Sequence, residues 1–152
     1  DIMGTFYRQV LFAAYEFEAH QKAENGEAIT HESLSQIMID LYDHFYGIDL
    51  NEEPGSKYEW AYIPHLHHTP YYVYQYATSF AASLKLYEMV KKDPKNIALH
   101  KQLLESGGSD WPLNQTKASG IDLTTKEPFL AVVKRLSSLL DELELALAAK
   151  NQ

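Results

Sequence analysis

The run Ile63-Pro64-His65-Leu66-His67-His68-Thr69-Pro70-Tyr71-Tyr72-Val73-Tyr74-Gln75-Tyr76 gathers three imidazoles and four phenols into one short stretch. Phenols and imidazoles aimed at one point can donate hydrogen bonds to an oxygen that gains negative charge during a reaction, as in acyl transfer. The spacing predicts a Pro-bounded loop carrying the histidines, followed by a helix that starts at Thr69-Pro70. The orphan N–H groups of its first turn favour anions or carbonyl oxygens. On that helix Tyr72 and Tyr76 share a face, and Tyr71 and Tyr74 lie one turn apart on another. The alternative for the same residues is that the tyrosines pack as amphipathic core residues and the histidines decorate a solvated loop.

Other chemistries have less support. The chain has no cysteine, so thiol catalysis, disulfides and Cys-ligated metal sites are excluded and any metal must use His, Asp or Glu. His31-Glu32 begins like H-E-x-x-H, but Ser35 stands where the second His is required. Glu16 and His20 have ligand-like i, i+4 spacing without a second copy, and His65, His67 and His68 lack a carboxylate partner. No metal site held wholly within the chain is expected. Gly107-Gly108 is followed by no Gly-Lys-Ser/Thr and reads as a turn, with pairing to an extended peptide a weaker alternative. No G-x-S-x-G occurs, so a serine nucleophile has no visible carrier.

The elements that must position these residues are helical throughout. The chain has 152 residues, 45% hydrophobic and 22% charged, the size and composition of a single helical domain with its own core. Eleven tyrosines are present, six of them between Tyr58 and Tyr76. Thirteen basic against 21 acidic residues give a net charge of −8, and Arg8 and Arg135 are the only arginines. That balance argues against a nucleic-acid groove. Trp60 to Leu84 contains no charged residue, but Pro64, Pro70 and three histidines interrupt it, so a membrane span is not expected. No signal peptide is visible at the start, Asp1.

Apolar spacing predicts a first helix from Met3 to about Glu24, burying Phe6, Val10, Ala13, Ala14 and Phe17 and ended by Asn25-Gly26. A second, capped by Thr30, carries Leu34, Ile37, Met38, Leu41 and Phe45 to Gly47. Asp49 to Lys57 reads as an acidic loop containing Pro54-Gly55. The tyrosine-rich helix is expected to be central and buried on most sides, with Gln75, Thr78, Ser79 and Ser83 as one weakly polar line. A helix from Asp93-Pro94 to about Glu105, a short one near Pro112 to Ala118 stopped by Gly120, and a long leucine helix opened by Thr125 and Pro128 complete the chain. That last helix, with Phe129, Val133, Leu136, Leu140, Leu143 and Leu147, reads as core packing or as a partner interface. The fold class is all-α, with five or six helices.

Several ordered motifs carry a family resemblance across nearly the whole chain. Phe6-Tyr7-Arg8-Gln9 to Phe17-Glu18, Glu59-Trp60-Ala61 with Ile63-Pro64-His65, Tyr72-Val73-Tyr74-Gln75-Tyr76-Ala77-Thr78, and Gly107-Gly108-Ser109-Asp110-Trp111-Pro112-Leu113 together resemble the C-terminal part of the catalytic domain of oligoendopeptidase F, a zinc metallopeptidase of the M3 family. Such enzymes bind zinc through H-E-x-x-H and a downstream Glu, which this chain lacks. The resemblance therefore implies a fragment that works with the remainder of a catalytic domain, is inactive alone, and has its Zn(2+) ligands outside these residues. It implies a cytoplasmic hydrolase of short peptides in which zinc activates a water and the motif Glu takes its proton. In that setting His65 and Tyr72 are the candidate catalytic groups, with Tyr72 the principal phenol and Tyr71 and Tyr74 next. Tyr76 and His68 complete the candidate substrate-binding set. The rival from a different class is a non-catalytic helical interaction domain.

Overall fold

The structure, a computed structural model, describes residues 2–50 and 55–150. It is all-α, with seven α-helices and no strand among the described residues: α1 (Arg8–Glu24), α2 (His31–Tyr46), α3 (Pro64–His68), α4 (Tyr74–Lys92), α5 (Ile97–Ser106), α6 (Pro112–Ala118) and α7 (Glu127–Lys150). A π-helical turn, Met3–Tyr7, leads into α1, and 3-10 turns occupy Ser56–Tyr62 and Pro94–Asn96. The helix beyond the expected six is α3, read from sequence as loop. Pro64 takes its first position, where a missing N–H costs nothing, and one turn fits before Thr69. Four residues of the expected acidic loop, 51–54, lie outside the described residues.

The chain forms two compact units, Met3–Ala77 and Thr78–Gln152. In the first, the core joins Leu11, Phe12 and Tyr15 of α1 to Ile37, Met38 and Leu41 of α2, and is closed by Leu50, Ile63 and Val73. Each large apolar side chain withdrawn from water in this way contributes about 1.5–3 kcal/mol. The buried face of α1 differs from the expected one. Phe17 is 56% exposed, while Tyr15 and Glu16 are buried beside Leu11 and Phe12. A purely apolar pattern discounted a tyrosine whose ring packs in the core and a glutamate that has a hydrogen-bond partner inside.

Local signals set the ends of α2. Thr30 Oγ1 accepts the Ser33 amide at 3.3 Å and Ser33 Oγ accepts the Thr30 amide at 3.0 Å, a reciprocal cap. Gly47 closes the helix in the left-handed conformation at φ 64°.

In the second unit Ala81, Leu86, Ile121, Ala131 and Val132 are buried. Lys85 donates to Glu127, and the Asn96 side-chain amide donates to the Met89 carbonyl at 2.8 Å. Gly120, at φ 83°, ends the turn after α6 against Met89 and Leu99. Helix α4 is not the central, mostly buried helix that its lack of charge predicts. Only Ala77, Ala81 and Leu86 are buried along it, and Tyr74 and Tyr87 stand exposed. Nor is the leucine helix wholly core. Pro128, Ala131 and Val132 are buried in its first turns, whereas Leu140, Leu143 and Leu147 face solvent.

Candidate functional site

The tyrosine segment is built by a turn rather than by a helix start. Helix α4 begins at Tyr74, four residues after the expected start, because Tyr71 sits at φ 58°, the single positive-φ non-glycine among the described residues. A tyrosine in that region costs about 1–2 kcal/mol relative to right-handed backbone, and no helix can run through it. The following residues enter α4 through tight turns: Gln75 N–H donates to the Tyr72 carbonyl at 3.0 Å and Tyr76 N–H to that of Val73 at 3.3 Å. Val73 is buried in the first unit's core, which pins the segment on its inner side and leaves Tyr72 pointing outward, 40% exposed.

Three of the candidate residues come together. The His65 ring on α3 stacks on Tyr72 with centroids 5.5 Å apart and planes 9° from parallel. Tyr76 meets both edge-on, at 5.9 Å from His65 and 5.6 Å from Tyr72, and its hydroxyl lies 3.3 Å from His65 Nε2. The result is an accessible cluster of one imidazole and two phenols, in which Tyr76 and His65 hydrogen-bond to each other and the Tyr72 hydroxyl can donate to a carbonyl oxygen. The other candidates lie elsewhere. Tyr71 turns back onto His20, ring centroids 4.8 Å apart. Tyr74 and His68 are exposed and outside the cluster. The neighbouring His67 is tethered, its Nε2 lying 3.1 Å from the Trp60 carbonyl, so that nitrogen carries the donated proton.

Two buried carboxylates, Glu16 and Glu59, lie in the same unit as this cluster. Glu16, 3% exposed, accepts the Tyr71 amide hydrogen at 2.6 Å. His20 Nδ1 lies 2.7 Å from the Glu16 carbonyl. Glu16, His20, Tyr15, Trp60 and His67 line a cavity of about 150 Å³. The Tyr15 hydroxyl, buried and without a hydrogen-bond partner, has its ionisation pushed up by burial. Glu59, 6% exposed, receives hydrogen bonds from Arg8 and Tyr42, and from Tyr62 at 3.1 Å. Burial pushes its carboxyl up, but the hydrogen bonds from Tyr42 and Arg8 and the Arg8 charge outweigh that and hold it below the usual carboxylate range. Its position within Glu59-Trp60-Ala61 was the available signal. For Glu16 the signal was a charged residue flanked by core positions of α1.

The glycine segment is a knitted turn. Asp110 Oδ1 accepts from the Trp111 amide at 2.7 Å and the Asn114 amide group at 3.0 Å, and Gln115 donates to the Gly107 carbonyl at 2.9 Å. Among the described residues no group of three His, Asp or Glu side chains could hold a metal ion. Glu16, His65 and His67 make the hydrogen bonds described above, so the donors present do not form a zinc-ligand set among the described residues.

The profile of peptidase family M3 matches residues 2–135. Oligopeptidase PepF of Bacillus subtilis is 36% identical over 142 residues, which are 93% of this chain and 21% of that protein. Group B oligopeptidase PepB of Streptococcus agalactiae is also 36% identical, over 93% of this chain and 24% of its own length. The chain thus spans less than a quarter of these relatives. The crystal structure of oligoendopeptidase-F from Enterococcus faecium superposes with a TM-score of 0.89 at 32% identity, covering 97% of this chain and 28% of that one. A profile match over most of the chain, relatives named as oligopeptidases and a shared fold lead to one conclusion: the chain belongs to peptidase family M3.

Proposed function

We propose that these residues form the substrate-binding and oxyanion-stabilising wall of a larger zinc-dependent oligoendopeptidase that hydrolyses short peptides. The observation that carries this reading is the accessible His65–Tyr72–Tyr76 cluster, within a chain whose relatives are oligopeptidases. When a peptide carbonyl becomes a tetrahedral adduct its oxygen gains charge. A phenol held in place beside it offers a hydrogen bond that strengthens at that moment, an effect whose loss costs about a hundred- to a thousandfold in rate. Tyr72 takes this role. His65 fixes the ring plane of Tyr72 and supplies a second polar tip, and Tyr71, Tyr74, Tyr76 and His68 contact the bound peptide. We place the zinc-holding residues outside these 152 residues, which are then a fragment of the catalytic domain. The enzyme is proposed to act in the cytoplasm. Separately, among the described residues no helix is long and apolar enough to cross a membrane.

The exposed Leu140, Leu143 and Leu147 favour a second reading, a helical interaction domain, and are equally available to the remainder of the catalytic domain. One assay separates the readings. Incubated with zinc and a quenched fluorogenic peptide, these residues alone should give no cleavage above buffer, and joined to the rest of the polypeptide they should give chelator-sensitive turnover. Turnover by the isolated residues contradicts the placement of the metal site, and no turnover by the whole protein favours the interaction domain.

A further inference from the structure

We propose that Glu16 is a positioning residue: its buried carboxylate holds the Tyr71 amide in the left-handed turn that presents Tyr72 to His65. This rests on the role proposed for Tyr72. The turn carries a tyrosine at φ 58° where no glycine supplies the freedom, so an interaction from elsewhere in the fold must compensate. The Glu16 carboxylate supplies it. Glu16 Oε1 lies 2.6 Å from the Tyr71 nitrogen, and at 3% exposure it has little water to compete for the bond. The anchor is rigid, because Glu16 lies on α1 between Tyr15 and the His20 ring that packs against Tyr71. On the other side of Tyr72, Val73 is fixed in the core. Tyr72 is therefore suspended between two fixed points one residue away on either side, with no backbone latitude of its own. Sub-ångström placement of a catalytic donor is worth one to two orders of magnitude in rate.

The test uses the whole peptidase with its zinc. Glu16→Gln keeps an oxygen acceptor for the Tyr71 amide, and Glu16→Leu removes it. Glu16→Leu should lower kcat about 10- to 100-fold with KM within about threefold. It should also speed hydrogen exchange at the Tyr71 amide, while Glu16→Gln keeps kcat within about threefold and the amide protected. Replacing the Pro70–Tyr71 amide link by an ester deletes the same bond from the donor side, leaves both side chains in place, and should reproduce the kcat loss even where Glu16→Leu fails to fold. Undiminished kcat in the ester variant, or an equal loss in Glu16→Gln and Glu16→Leu, overturns the proposal. If Tyr72→Phe itself leaves kcat unchanged, the role of Tyr72 fails. If Tyr72→Phe lowers kcat and the ester variant does not, only the role of Glu16 fails.

Discussion

The imidazole of His65 lies parallel to the phenol of Tyr72, centroids 5.5 Å apart and planes 9° from parallel, although one residue sits on a single-turn helix and the other in the turn before α4. Stacking of this kind is worth about 0.5–1.5 kcal/mol beyond the area it buries, a bias toward one ring plane for Tyr72. In the whole peptidase His65→Ala is expected to lower kcat about a hundredfold and to leave the zinc content, measured by metal analysis, unchanged. His65→Phe, which keeps a flat ring under Tyr72 but no nitrogen for Tyr76, should recover part of that loss. Loss of zinc in His65→Ala would instead make His65 part of the metal site.

Glu59 gives the first unit a pH dependence of known sign. Its folded-state ionisation is depressed, because hydrogen bonds from Tyr42 and Arg8 and the charge of Arg8 outweigh the opposing effect of burial. A group with a lowered folded value contributes stability that is fully present above its unfolded value of about 4.3. That stability is lost as pH falls through the lower folded value. Glu59→Gln should lower unfolding free energy by about 2 kcal/mol at neutral pH. Denaturant curves of the variant and the parent should converge below about pH 4. Parallel curves down to pH 3 would mean that the carboxylate charge contributes nothing.

Gly120 occupies backbone that favours glycine, at φ 83°, and an added Cβ would come within 2.9 Å of the Met89 methyl. The methionine tip can move, so the backbone dominates the cost. Gly120→Ala is expected to destabilise by about 1–2 kcal/mol, read as a lower denaturation midpoint with unchanged slope. Gly108→Ala, where a Cβ meets nothing and φ is not positive, should stay within about 0.5 kcal/mol.

Features set by neighbouring residues were legible in the sequence. The Thr30 cap, the Gly47 and Gly120 stops and the long final helix all rest on short-range chemistry that spacing reveals. The gathering of imidazoles and phenols was equally visible, including Tyr72 with Tyr76. What escaped depends on contacts between distant positions. The left-handed Tyr71 is held by Glu16, 55 positions away, so the start of α4 could not be placed from its own residues. Glu59 gathers Arg8 and Tyr42 from separate helices, and no periodicity assigns a glutamate to the interior. Burial of α4 was overestimated because freedom from charge signals an apolar surroundings without saying which polypeptide provides it.

The most direct measurement is the kcat and KM of Tyr72→Phe in the zinc-loaded whole peptidase, since the change removes one oxygen and leaves the stack on His65 intact. Expected is a fall in kcat of about a hundred- to a thousandfold with KM little changed and full zinc occupancy. An unchanged kcat at full zinc occupancy would contradict the assignment of Tyr72 to the developing oxyanion.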